Sequence, residues 1–197
     1  MDEKNYSLKD LVNDITQIVE ETELDSERVE RTERYVSKFI QSENPIPIEA
    51  LQSDKNQYAR HSLYRDPQDR FEILALIWEP GQRTGLHDHD GTWGVEGIVT
   101  GRMRIHNYLQ MESYPEDNKV KLSYSGTMNL NALSTGELLP PADCHILQPE
   151  GNDTVVTIHV YGKQLRHFKV FKSTEEDNIY TVHDHPVGYT TESLITI

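Results

Sequence analysis

Apolar side chains recur at steps of three and four residues between Ser7 and about Gln41. A helix brings such positions onto one face. They form two groups: Leu8, Leu11, Val12, Ile15 and Val19, then Val36, Phe39 and Ile40. An acidic break near Asp25 separates the groups, and the sequence Asn-Pro-Ile-Pro at 44–47 cannot continue a helix. The pattern predicts two amphipathic helices that end near residue 45.

After about residue 57, short runs rich in β-formers alternate with turn residues, which predicts a series of strands. These runs are 58–64, 71–78, 93–99, 103–108, 120–124, 144–147, 154–161 and 167–171. Many short strands indicate a sandwich or barrel. The polar tail after Phe171 is interpreted as a covering segment with one edge strand. We therefore predict a mainly β fold in which residues 1–45 pack on the barrel without forming an independent domain, and residues 46–197 form the barrel and its cover.

The length of 197 residues suits one domain with a hydrophobic core, and it is short for two. With 36% hydrophobic and 26% charged residues, the composition is that of a globular protein. No run approaches the roughly 20 apolar residues that a membrane span needs. The first six residues lack the basic start and apolar stretch of a secretory signal. These features lead us to expect a cytoplasmic protein.

The formal net charge of -14 repels phosphate backbones and anionic lipid headgroups. We therefore expect no nucleic-acid or membrane partner, and we expect a monomer that acts on a small molecule. The same field repels a small anionic substrate, so a carboxylate ligand would need a buried cation. The single cysteine, Cys144, rules out an intrachain disulfide and fits a reducing compartment.

His87 and His89 lie one residue apart after a glycine-containing turn. On a strand, residues at this spacing project from the same face, so both imidazoles could bind one metal ion. From the spacing alone, a pair of solvent-facing polar side chains beside a turn is an equally open interpretation.

The spacing of Gly81, His87, His89 and Gly101 resembles the first conserved motif of the cupin superfamily. The resemblance implies a jelly-roll-like β-barrel with a metal site. In that motif a glutamate ligand follows the second histidine by five residues, where this chain has Gly94. The resemblance therefore implies a site without that carboxylate.

His145 resembles the histidine of the second cupin motif, which implies that it is the third ligand, although Pro140-Pro141-Ala142 only loosely matches the usual residues before it. Glu96 shares the strand parity of Gly94 but lies about 6.6 Å further along, so it is disfavoured as a metal ligand but stays open as one. Three imidazoles leave open coordination positions on the metal ion that they bind. This suits an Fe(II) ion that also binds a thiolate and O2. Zinc also accepts three histidines and water, so a zinc or manganese cupin stays open.

Thr157, His159 and Tyr161 share one strand face by alternation, so a hydroxyl, an imidazole and a phenol could hydrogen-bond in series. The arrangement is similar to the Ser-His-Tyr relay of the cysteine dioxygenase family, with threonine in place of serine. Tyr58 and Arg60 are similar to the Tyr-x-Arg whose arginine binds the substrate carboxylate in that family. A core histidine, a barrel-lining tyrosine and a surface arginine in an ion pair are the structural alternatives.

The resemblance covers about residues 56–172. It implies an enzyme that uses one Fe(II) per chain and O2 to convert L-cysteine to cysteine sulfinic acid. A dioxygenase for another small thiol, such as 3-mercaptopropionate, is the alternative within this chemistry, and a non-catalytic or zinc/manganese metal-binding cupin is the alternative outside it.

Three further expectations concern residues around this site. Animal members of the family join a cysteine to the relay tyrosine, and Gly94 at that position implies an unmodified Tyr161, as in the bacterial branch. Cys144 has the opposite strand parity to the neighbouring His145 and is expected to face away from the metal. His183 and His185 form a second His-x-His in the polar tail and are interpreted as surface or lid residues.

Overall fold

The computed structural model describes residues 5–192, so the outermost residues of the two predicted units lie outside the described chain. Helix α1 spans Leu8–Glu21 and helix α2 spans Asp25–Ile40, as the apolar spacing predicts. Helix α1 begins at a capping box, in which the Ser7 hydroxyl accepts from the backbone N–H of Asp10 and the Asp10 carboxylate accepts from that of Ser7. No helix among residues 5–192 is long and apolar enough to cross a membrane.

The described chain contains eleven strands, joined mostly by short turns. Their bounds are β1 Ala59–Arg65, β2 Glu72–Trp78, β3 Leu86–His87, β4 Gly94–Thr100, β5 Arg102–Tyr114, β6 Lys119–Asn131, β7 Thr135–Leu138, β8 Cys144–Pro149, β9 Val155–Tyr161, β10 His167–Ser173 and β11 Ile179–Pro186. One sheet has the order β1-β2-β9-β4-β7. In the other, β10-β11-β6-β5-β8-β3, the last strand pairs with the first and closes the ring. The prediction of a mainly β barrel behind two helices is confirmed.

Four strands differ from what the sequence pattern predicts. Strand β7 was not predicted, because its four residues are mostly half-buried and carry little apolar pattern. Strands β5 and β6 extend well beyond the predicted runs as a long hairpin with largely exposed side chains. The tail strand β11 lies between β10 and β6 and not at an edge. In each case backbone pairing, which side-chain patterns do not report, sets the strand.

Alternation along β2 and β9 separates two faces of the first sheet. On β2, Ile73, Ala75 and Ile77 pack with the helices, whereas Leu74, Leu76 and Trp78 face the barrel interior. Helix α2 approaches β4 closely at Gly97, where a Cβ atom would lie 3.0 Å from Val36. The helices therefore cover one face of this sheet, and the opposite face is left to build the site.

Candidate active site

Three buried histidines converge at one end of the barrel interior. His87 on β3 lies directly opposite His145 on β8, and His89 follows two residues after His87. The ligand atoms of the three side chains lie within 4.8 Å of one another. Strand β3 ends at His87, so His89 reaches the group through the turn that follows and not by strand alternation, as its spacing had suggested. The structure thus brings together all three predicted ligands.

Each of these histidines has a ring nitrogen that is available to bind a cation. The His87 Nδ1 atom lies 3.0 Å from the Gly85 carbonyl oxygen, which leaves Nε2 as its ligand atom. The Nε2 atoms of His89 and His145 are buried and have no hydrogen-bond partner among the described residues. Buried polar atoms are normally paired, so the orphaned nitrogens fit a metal ion. Burial lowers the pKa of His145 to about 4, which keeps its lone pair available at neutral pH.

Asp143 supports this group and was not identified from the sequence. Its Oδ2 atom accepts a hydrogen bond of 3.2 Å from the backbone N–H of His89 and lies 3.5 Å from Nδ1 of the same residue. Metal-binding histidines usually place their second ring nitrogen against a carboxylate or carbonyl, which orients the ring. The available signal was the spacing of two residues between Asp143, which lies just before β8, and His145 on that strand.

A chain of hydrogen bonds runs along the interior face of β9. The Trp78 indole donates to Thr157 Oγ1 over 2.9 Å, and that hydroxyl lies 2.7 Å from Nε2 of His159. On the other side of the ring, His159 Nδ1 lies 3.0 Å from Tyr161 Oη. The three residues predicted as a relay are therefore in contact in the predicted order, and Trp78 extends the series by one donor.

Glu96, which the sequence left open as a metal ligand, places a buried carboxylate beside this series. Its Oε1 atom lies 2.8 Å from His159 Nδ1 and 3.8 Å from His145 Nε2. Glu96 on β4 is opposite His159 on β9, which explains the contact. Burial opposes ionisation of Glu96, but the imidazoles of His159 and His145 outweigh this cost and lower its pKa below the usual range.

Tyr161 packs between the metal ligands and β4. Its ring stacks on His89 with centroids 5.4 Å apart, and it lies opposite Gly94. A Cβ atom at Gly94 would be 2.8 Å from the Tyr161 ring, so the glycine leaves the room that the phenol occupies. Burial, and then the nearby Glu96 carboxylate, raise the pKa of Tyr161 well above its usual range, which keeps the hydroxyl protonated.

Arg60 provides a buried cation in a pocket of about 390 Å³. Its side chain is largely buried, with the residue 7% exposed, and Nη1 has no hydrogen-bond partner in the described part of the chain. Nη2 lies 3.4 Å from Tyr58 Oη. The Tyr58 ring stacks on Trp78 at 4.4 Å, which links this end of the pocket to the relay. An unpaired guanidinium is suited to bind a carboxylate through two hydrogen bonds.

Phe168 links the pocket that Arg60 lines to the histidine group. Phe168 and His185 line the pocket, and the Phe168 ring lies 5.0 Å from His185 and 5.2 Å from His87. His185 is exposed on β11, and the exposed His183 side chain forms a hydrogen bond with Thr181. Both lie outside the cluster of three buried histidines.

Cys144 is buried on the other side of β8, in an apolar cluster with Leu86, Val120, Leu122 and Phe171. Burial raises the pKa of its thiol, so it stays protonated. The expectation that it faces away from the metal ligands agrees with this position.

Comparison with known proteins identifies relatives of the chain. The profile of a family described as "Cysteine dioxygenase type I" matches residues 2–174, a range that contains the three histidines, the relay and Arg60. Similar solved structures include an uncharacterized conserved protein with a double-stranded beta-helix domain from Klebsiella pneumoniae, 14% identical, covering 64% of this chain and 93% of that chain with a TM-score of 0.47. A Cupin 2 conserved barrel domain protein from Salinispora arenicola is 18% identical, covering 59% and 84%, with a TM-score of 0.40.

Proposed function

Because the chain belongs to the type I cysteine dioxygenase family, we propose that it is a thiol dioxygenase that converts L-cysteine to cysteine sulfinic acid with one Fe(II) per chain. Both atoms of O2 are added to the sulfur, so sulfur loses four electrons and O2 gains them. The observation that carries the proposal is the combination of three converging buried histidines with Arg60, whose buried Nη1 has no partner among the described residues, in a neighbouring pocket.

The histidines fit a divalent metal because the buried Nε2 atoms of His89 and His145 lack a hydrogen-bond partner among the described residues. His87, His89 and His145 would hold it, and their neutral charge leaves the ion electrophilic. When bound, Fe(II) supplies redox chemistry with O2 and lowers the pKa of a thiol that binds to it.

Arg60 holds the substrate in our proposal. Its guanidinium binds the carboxylate through two parallel hydrogen bonds, and burial strengthens this contact relative to water. Arg60 and Phe168 line the same pocket, and the Phe168 ring lies 5.2 Å from that of His87, which suits a substrate with a carboxylate at one end and a thiol at the other. Tyr161 then orients the bound substrate from beside His89, and the apolar barrel interior excludes water from the reacting groups.

Oxygen consumption with a panel of thiols tests the reaction and the substrate together. The chain loaded with Fe(II) is expected to consume one O2 per thiol with L-cysteine, and less rapidly with 3-mercaptopropionate, which lacks the amine, and cysteamine, which lacks the carboxylate. Mass spectrometry should detect a sulfinate. The zinc-loaded chain and His145→Ala serve as inactive controls.

Two outcomes would replace the proposal. Preference for 3-mercaptopropionate would assign the alternative substrate. If the fully iron-loaded chain consumes no O2 with any thiol, a non-catalytic or differently metallated cupin becomes the better description.

We also propose that the protein acts as a cytoplasmic monomer whose partners are the thiol and O2, without nucleic acid or a membrane surface. The support is the charge of -14 and the single, buried cysteine. The contact between α2 and β4 supports residues 1–45 as part of the same folding unit as residues 46–197. Sedimentation across a range of protein concentrations tests the monomer, and truncation of the helices should expose the sheet and cause aggregation.

A further inference from the structure

Glu96 is the one carboxylate within 4 Å of both a predicted metal ligand and the relay among the described residues. It projects from β4 into the barrel interior and is only 8% exposed. It occupies neither the position of the usual cupin glutamate, which is Gly94 here, nor a position in the three-residue relay. Its role follows from the placement of protons along the hydrogen-bonded series.

The Trp78 indole determines which atoms donate and which accept along the hydrogen-bonded series. The Trp78 indole can only donate, so Thr157 Oγ1 accepts this hydrogen bond. The Thr157 hydroxyl still has its own proton, and Nε2 of His159 lies 2.7 Å away. A buried hydroxyl that did not donate would leave its proton without a hydrogen bond, which is unfavourable. Nε2 of His159 is therefore the acceptor, and in a neutral ring the proton is on Nδ1.

That proton faces the Glu96 carboxylate. Glu96 Oε1 lies 2.8 Å from His159 Nδ1, so this carboxylate oxygen accepts the hydrogen bond from Nδ1–H. Tyr161 Oη is 3.0 Å from the same nitrogen, which has no lone pair to receive the phenolic proton. The Tyr161 hydroxyl instead donates to Glu96 over 3.4 Å. The phenolic oxygen is left with only acceptor capacity toward the pocket.

We propose that Glu96 is a positioning residue that holds His159 as the Nδ1–H tautomer and turns the proton of Tyr161 away from the substrate. The inference rests on the proposed thiol dioxygenase function for its catalytic consequence. If the phenolic oxygen of Tyr161 accepts a hydrogen bond, it favours a substrate that has a hydrogen-bond donor near its thiol. The amine of an aminothiol is such a donor. Glu96 thereby contributes to selecting cysteine over a mercapto acid without an amine.

The tautomer can be measured without turnover. We would label the histidines of the full-length chain with ¹⁵N, remove metal with a chelator, and assign the His159 signals by comparison with His159→Gln. The expected spectrum has a protonated Nδ1 and an unprotonated Nε2. A protonated Nε2 with a bare Nδ1 would overturn the proposal, whatever the enzyme does with thiols.

Substrate preference supplies the second readout. Glu96→Leu should lower kcat/KM for L-cysteine by about 10- to 100-fold, the usual effect of removing such a supporting contact. The value for 3-mercaptopropionate should change less than about threefold, since that substrate has no amine. Glu96→Gln keeps an acceptor oxygen of the same shape and should recover part of the loss. Glu137→Gln, an exposed glutamate on the adjacent strand β7, is the matched control for loss of charge.

Metal content and thermal unfolding are measured on each variant to separate positioning from other roles. Loss of bound iron in Glu96→Gln would assign Glu96 as a ligand, and an equal loss of activity with both thiols would assign a structural role; each overturns the proposal. If Glu96→Leu does not fold, the activity of Glu96→Gln and the His159 tautomer of the wild-type chain still test the proposal. A wild-type chain without thiol-dependent O2 consumption would refute the proposed function, while the tautomer measurement would stand by itself.

Discussion

Replacement of Arg60 by methionine tests the link between charge, burial and substrate binding. Methionine fills a volume close to that of the arginine stem but cannot bind a carboxylate. In the substrate-free chain Arg60 is buried, Nη1 has no partner, and the one contact of Nη2 is with Tyr58 at 3.4 Å. The substitution should therefore affect binding and stability in opposite directions.

The loss of binding can be estimated from the pocket. Truncating one partner of a buried, hydrogen-bonded charge pair costs about 2–5 kcal/mol. At about 1.4 kcal/mol per tenfold change, kcat/KM for cysteine should fall by roughly 30-fold to several thousand-fold. An unpaired buried cation opposes folding, so Arg60→Met should unfold at the same temperature as the parent chain or higher.

Steady-state O2 consumption and thermal unfolding measure the two effects. Cysteamine has no carboxylate, so its kcat/KM should change little in Arg60→Met. Arg104→Met removes a cation from the outside of the barrel, where Arg104 pairs with Glu150, and serves as the matched control. A change in KM for cysteine of less than threefold, or an equal loss with cysteamine, would refute the assignment of Arg60 as the carboxylate anchor.

Three further predictions concern the metal group, the relay and the barrel. His145→Ala should lower bound metal, measured by elemental analysis, from one per chain to near zero while the circular dichroism spectrum stays unchanged. Gly94→Ala brings a methyl within 2.8 Å of the Tyr161 ring, so we expect about 1–3 kcal/mol less stability in urea unfolding and a lower kcat; an unchanged kcat would show that the ring position is not critical. Arg70 donates to the buried Asp66 carboxylate and lowers the pKa of Asp66, so this contribution to stability is full above about pH 4 and is lost as the pH falls through the folded pKa. Asp66→Asn should therefore lower stability at pH 7 more than at pH 3, and equal losses at both would contradict the pairing.

Local regularities explain which parts of the site could be predicted. Alternation holds for any strand, so the shared face of Thr157, His159 and Tyr161 followed from their spacing alone. The helices followed in the same way from a period of 3.6 residues. His87 and His89 were predicted together although His89 lies beyond the strand, because a short turn also keeps near neighbours close.

Contacts between distant strands could not be predicted in this way. Glu96 meets His159 because β4 and β9 pair in one register, and a shift of one residue would turn Glu96 to the opposite face. Asp143 reaches His89, and Phe168 lies between His87 and His185, for the same kind of reason. The sequence by itself determined the elements, the chemical groups and their faces, since these depend on local geometry. The tertiary structure alone decided which groups meet, because strand register and barrel closure depend on packing of the whole chain.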